Sequence, residues 1–278
     1  MAIAIAGTDL RAWGSTRTEE ATMRHGVLRD SMMGPAIYSE GEDAVERAWE
    51  AKTQAARDRH ARKALDADLD NIDAYTILAF GAKTLGERLA LLREAVRVGD
   101  RLWAPCLDDE DMAWWGFIGT RPYLRAMHNL GDVLVEAGDW QETEEIFARM
   151  LALNPNDNTG ARGTMARILM EKPQIRKLRA LLRRYDDDML LEMAMAQFWL
   201  DLRAKSADPA KLCPAIDERN AYVLRLLVGQ DVGKIETSPF GITMGGADEA
   251  AEYVAEFGPV WARDPAKMAA IRACIGTG

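Results

Sequence analysis

Residues 126–157 read AMHNLGDVLVEAGDWQETEEIFARMLALNPND, and at helical spacing they divide into two amphipathic helices. Leu130, Gly131, Leu134 and Ala137 recur along the first; Thr143, Phe147 and Leu151 recur along the second. Gly138-Asp139 is the turn between them, because glycine accepts the left-handed backbone that ends a helix. Asn154-Pro155 stops the second helix, since proline cannot donate into a continuing turn. Such a pair cannot bury its apolar stripe alone, so stacked neighbours of similar build are expected on either side.

Outward from this pair the same periodicity continues. Ala44, Ala48, Trp49 and Ala51 read as one helix face, and Ala55, Ala61, Ala64 and Leu65 continue it. ARKALDADLDNIDAYTILAF, residues 61–80, reads as a helix, an Asp/Asn turn and the next helix, with Tyr75, Leu78 and Ala79 inward. Its partner is expected from Glu87 to Val98, with Gly99-Asp100 as the stop. Residues 101–119, RLWAPCLDDEDMAWWGFIG, break the period and predict an ordered loop with short helical turns. A third pair is expected over Asn158–Tyr185, with helices at Leu190–Ala204, Asp208–Val228 and Ala247–Phe257, and another starting near Asp264. Gly229–Gly246 reads as a connector, and residues 1–39 as a helical or loose extension.

Composition excludes several classes. Of the 278 residues, 48% are hydrophobic and 28% charged, the balance of a folded chain. The formal net charge of −9 disfavours wholesale binding of nucleic acid or anionic membrane, both of which need a basic footprint. Three cysteines, Cys106, Cys213 and Cys274, form no CxxC pair and read as reduced thiols, so a cytoplasmic location is expected. No apolar run reaches membrane-spanning length. His25, His60 and His128 are scattered without HxxxH spacing, and neither a G-x-S-x-G nor a P-loop occurs. No catalytic residue, metal or cofactor is expected, and the chain reads as a non-enzyme.

The sequence of large, small and aromatic positions in 126–157, closed by Pro155, resembles a tetratricopeptide repeat. More specific words occur in order: WWGFIGTRPYLRA, LNPNDNTGAR, LLRRYDDD, IDERNAYVLRLLVG and GADEAAEYVAEFGPVW. Together they resemble bacterial tetratricopeptide proteins related to the family called suppressor of tumorigenicity seven, over roughly Ala44 to Trp261. Leu69 stands where such repeats usually carry proline, Thr159 where the family often has glutamine, and the ligands of a zinc module are lacking. The resemblance implies an all-helical interaction scaffold and brings no catalytic residues with it.

Candidate contacts follow from the expectation that the first helix of each pair lines a concave groove. These are Asp73, Thr76, Phe80 and Lys83 in one pair, Arg125, His128, Asn129, Asp132 and Glu136 in the next, and Arg162 in the third. Arg125, Asn129 and Arg162 resemble part of a carboxylate clamp. Arg162, Arg167, Lys172, Arg176, Lys177, Arg179, Arg183 and Arg184 form a basic stretch against Glu171 alone. It reads either as a receptor for an acidic segment, through bidentate arginine contacts, or as a solvated face. Asp108-Asp109-Glu110-Asp111 lacks calcium-loop spacing. Trp103, Trp114 and Trp115 read as plugs between the long loop and the helices.

The expected architecture is all-α: a right-handed α-solenoid of tetratricopeptide-like helix pairs over 40–265, with an N-terminal extension (1–39), a helical C-terminal cap and a short tail (266–278). The expected function is a scaffold or adaptor that binds a protein or peptide, with an acidic segment as one candidate, in its concave groove. The competing reading is a self-assembling or structural module whose exposed aromatics and Met-rich helices (Met189, Met193, Met195) bury against another copy, as in a homodimer.

Overall fold

The computed structural model describes residues 41–109, 112–204, 206–236 and 241–276, and the chain there is all-helical. The extension expected at 1–39 lies outside the described residues, as do Glu110 and Asp111. The chain divides into two compact units, with the boundary between Ala161 and Arg162.

The first unit holds α1 (Glu42–Glu50), α2 (Gln54–Ala67), α3 (Ile72–Gly81), α4 (Leu85–Trp103), α5 (Arg121–Ala137) and α6 (Trp140–Leu153). Side chains set most of the starts. Thr53 caps α2, Asn71 caps α3 and Asp139 caps α6, each accepting from a backbone N–H of the first turn. Thr84 and Glu87 form a reciprocal capping box on α4, with both bonds at 3.2 Å. Gly138 ends α5 at φ 72°.

Each helix packs on the next in sequence, and α3 also packs directly on both α1 and α5. α3 is therefore enclosed from several sides, and every residue from Ile72 to Ala79 is buried. The α5–α6 pair closes as the periodicity predicts. Leu130, Leu134, Thr143, Phe147 and Leu151 are buried, and the Phe147 ring lies so close over Gly131 that a Cβ there would sit 2.5 Å from it.

α4 corrects one expectation. It does not stop at Gly99-Asp100 but runs to Trp103. Gly99 is a packing glycine: a Cβ on it would come within 2.0 Å of Tyr123 Cδ2. Tyr123 is fully buried, its hydroxyl donates to Asp100, and Arg149 pairs with the same carboxylate at 2.7 Å. Burial, then the Asp100 hydrogen bond and charge, push the Tyr123 phenol well above its ordinary range. The 101–119 stretch carries two 3-10 turns, Ala104–Cys106 and Ile118–Thr120. Trp103 and Trp114 are buried edge to face at 5.7 Å, with Tyr123 next in line at 6.0 Å from Trp114. Both tryptophans are plugs, as their reading as packing residues required.

The second unit holds α7 (Ala161–Glu171, entered from the last residue of the first unit), α8 (Ile175–Arg184), α9 (Leu191–Asp201), α10 (Pro209–Arg219), α11 (Val223–Leu227), α12 (Ala247–Ala262) and α13 (Pro265–Ile275). α9 packs on α8, α10 and α12, while α13 packs on α10, α11 and α12. Phe198, Trp199, Tyr253, Phe257 and Trp261 fill the centre, and Trp261 Nε1 donates to the Tyr253 hydroxyl at 2.7 Å.

The helix expected over Asp208–Val228 is broken at Asn220. That side chain is buried; its Oδ1 accepts from the N–H groups of Tyr222 (2.9 Å) and Val223 (3.1 Å), capping α11. Its Nδ2 donates to Gly246 O (3.0 Å) and Glu249 (2.9 Å) at the start of α12. α12 continues past Phe257 and through Pro259, and α13 starts after Asp264, which caps it. Among the described residues no helix is long and apolar enough to cross a membrane.

Candidate functional site

The packing of α3 on α1 and α5 places side chains from three non-consecutive helices on one face of the first unit. Trp49, one residue from the end of α1, is 38% exposed, and Phe80, near the end of α3, is 51% exposed. Their rings meet edge to face at 6.3 Å. From α5, the Arg125 guanidinium lies 5.6 Å from the Trp49 ring centroid. It also grips Asp73 of α3 with both arms, Nε to Oδ1 at 3.1 Å and Nη2 to Oδ2 at 2.8 Å. An exposed aromatic pair leaves apolar area in water, and together with a guanidinium already in place it forms a surface suited to contact.

Trp49 was expected to continue the buried stripe of α1. The buried positions are Ala44, Val45 and Ala48. Trp49 is turned about 100° from Ala48 but, four residues on from Val45, only about 40° from it, so it stands at the border of the stripe and is partly exposed. The aromatic therefore emerges at the edge of the stripe, where its ring meets Phe80 of α3, and a contact list that began at Asp73 omitted it.

The expected contact residues divide sharply. Asp73 and Arg125 are joined, and Phe80 is beside them. Thr76 is fully buried and donates to Ile72 O at 3.3 Å, so it is withdrawn from the surface. The reason is that α3 is packed against α1, α2, α4 and α5, which buries Ile72–Ala79 and leaves Phe80 at its end exposed. Lys83 is exposed but lies in the α3–α4 turn, where its N–H donates to Glu87. Asn129 turns back onto its own helix, donating to Arg125 O at 2.8 Å. His128 stands edge to face with Phe147 at 5.7 Å and 3.9 Å from Asp132, which is exposed. Glu136 pairs with Arg88 at 2.6 Å.

Arg162 belongs to the second unit, where its guanidinium engages Asp188 through Nε and Nη2. Burial raises the Asp188 pKa, but the Arg162 hydrogen bond, the Leu190 N–H at 2.9 Å and the charges of Arg162 and Arg219 outweigh it. The carboxyl is held below its ordinary value. The clamp-like arginines, Arg125 and Arg162, thus each hold a carboxylate of this chain.

On α8, Arg176, Arg179 and Arg183 share one exposed face, opposite buried Leu178 and Leu181. An open hollow of about 550 Å³ between α8 and α9 is lined by Arg179, Arg183, Tyr185, Asp187, Met193 and Gln197 among others. Its mixture of arginines and aspartates gives it no dominant sign. Met193 and Met195 are buried in the core of this unit, so of its three methionines the self-assembly reading keeps Met189, which is 63% exposed, together with exposed aromatics.

Electrostatically, the α1 edge of this face is acidic. Glu42, Glu46 and Trp49 lie at i, i+4 and i+7 on exposed positions of α1. Burial, and then the nearby charges of Asp73, Glu46 and Asp68, raise the Glu42 pKa above the ordinary glutamate value. Among the described residues no group of three or more His, Cys, Asp or Glu side chains is placed to hold a metal ion.

No family model matches the chain, and no curated protein matches it. Its chemistry is therefore read from its own geometry.

Proposed function

We propose that this chain is a non-enzymatic cytoplasmic scaffold or adaptor. Its helix pairs form a right-handed tetratricopeptide-like solenoid, related to bacterial proteins of the suppressor of tumorigenicity seven type, which holds a polypeptide segment in its groove. The groove is assigned to the side of α1, α3 and α5. These alternate helices pack directly side by side, as the inner row of a curved stack does.

The observation that carries the reading is the exposed Trp49–Phe80 pair on that row, beside the Arg125–Asp73 bridge. Aromatic side chains that remain in water on a rigid helical face are the usual anchors of an interface. Selection of displayed peptides on the full chain tests it. Peptides should be enriched that lose binding to the Trp49→Ser/Phe80→Ser double variant, whose helicity should match the parent. Enriched peptides that bind the double variant equally well would remove the assignment.

A further inference from the structure

The same face carries information about the chemistry of its occupant, and this step rests on the segment-holding reading above. α1 reads EDAVERAWE and exposes Glu42, Glu46 and Trp49 along one edge. Neither Glu42 nor Glu46 has an ion-pair or hydrogen-bond partner among the described residues. Their carboxylates stand beside an aromatic pair still open to solvent at 38% and 51%.

The chain already shows what this surface accepts. The guanidinium of Arg125 lies against the Trp49 ring while Asp73 takes its N–H groups from the side. An aromatic ring with carboxylates near its edge is favourable ground for a cation, because ring quadrupole and carboxylate act in the same direction. Asp73 and one approach to Trp49 are occupied by Arg125. Among the described residues, no partner occupies the Glu42 and Glu46 carboxylates or the Phe80 side of the pair.

We infer that the α1–α3–α5 face takes a basic polypeptide segment, with lysine or arginine set against Glu42 and Glu46 and a neighbouring apolar side chain seated on Trp49 and Phe80. The occupant comes from another protein. Residues 1–40 of this chain carry four arginines against five acidic residues, and a second copy brings a net charge of −9. Neither complements an acidic face as a whole; the exposed Arg176, Arg179 and Arg183 of α8 are the exception in a second copy, and sedimentation tests that case.

The test uses the full chain and synthetic peptides identical in length and apolar positions, whose remaining positions are Lys/Arg, Glu or Ser. Fluorescence anisotropy should show the Lys/Arg peptide binding most tightly, with affinity falling as salt rises. Glu42→Gln/Glu46→Gln should weaken that peptide about five-fold without lowering the thermal midpoint. Trp49→Ser/Phe80→Ser should weaken it at least about ten-fold. Tightest binding of the Glu or Ser peptide, still dependent on Trp49 and Phe80, would overturn the basic-segment inference and leave the segment-holding reading standing. Binding of the Lys/Arg peptide unchanged by both double variants, or no binding by any of the peptides, would also overturn the inference. The display selection decides the broader reading separately. A dimer in sedimentation, dissociated by Trp49→Ser, would identify a second copy as the occupant and overturn it too.

Discussion

Arg125 and Asp73 are separated by 52 positions in the chain, yet they meet in a two-armed bridge between α5 and α3. Asp73 is the more enclosed partner, its side chain 12% exposed against 41% for Arg125. The bridge ties two helices of the same row and fixes the guanidinium beside Trp49. It also means that Arg125 meets any ligand with its charge already engaged.

Removing the guanidinium should therefore be felt in stability before it is felt in binding. Arg125→Met leaves the Asp73 carboxylate enclosed without its cation, and the exposure of Arg125 limits the loss to about 1 kcal/mol. Arg125→Lys keeps the charge but not the two-armed geometry and should fall between the two. Urea midpoints at neutral pH measure both. A midpoint for Arg125→Met equal to the parent would show that the bridge contributes nothing.

Glycines in α4 should separate by what lies above them. Gly99→Ala must displace the buried Tyr123 ring, and overpacking of that kind should cost at least about 2 kcal/mol. Gly86, in the first turn of the same helix, has nothing within 4 Å of a built Cβ. Gly86→Ala should instead stabilise by about 0.5 kcal/mol, through helix propensity and a less free unfolded chain. Thermal midpoints moving in opposite directions for the two variants are the expected result.

Acid should act on the second unit through Asp188. Its folded-state pKa lies below the ordinary value, so the unfolded chain binds the proton more readily. The stabilisation is full above the ordinary carboxylate range, near pH 4, and is lost as pH falls through the lower folded value. Arg162→Met removes the main source of this effect and leaves a carboxylate with only 6% of its side chain exposed. It should cost about 3 kcal/mol at pH 7 and flatten the acid limb of stability against pH. A parallel limb in the variant would place the effect elsewhere.

Thiol chemistry should distinguish Cys213 from Cys274. Burial, and then its hydrogen bond and proximity to Cys274, push the Cys213 thiol up to about 12. Thiolate is the reactive form, so a maleimide at pH 8 should leave Cys213 unmodified in the folded protein while the partly exposed Cys274 reacts. Mass spectrometry of the digest reads the order. Modification of Cys213 first would contradict it.

What the sequence made legible was local. Leu130, Gly131, Phe147 and Leu151 could be placed because the helical period and one aromatic-on-glycine contact fall within a single pair. The capping chemistry at Asn71 and Asp139 was equally near at hand. Gly99 was misassigned because a glycine that ends a helix and a glycine that admits a ring are the same letter. Thr76 was misassigned because α3 is apolar on nearly every side, so periodicity offers no face to choose. The partners of Arg125 and Arg162 lie 52 and 26 residues away, and pairing at that range leaves no trace in spacing. Trp49 was read as buried because it stands four residues after Val45, and periodicity does not tell the border of a stripe from its centre.

Asn220 holds the chain at the start of α11 and again at the start of α12, so a single amide ties together the two helices that flank the segment from 229 to 245. Its last residues are also held to α12, Thr243 N–H donating to Asp248 and Gly245 N–H to Glu249, so added length is best absorbed nearer its start. Residues 230–236 are the natural place to graft a tag or a fluorescent reporter, with Asn220, Asp248 and Glu249 left unchanged.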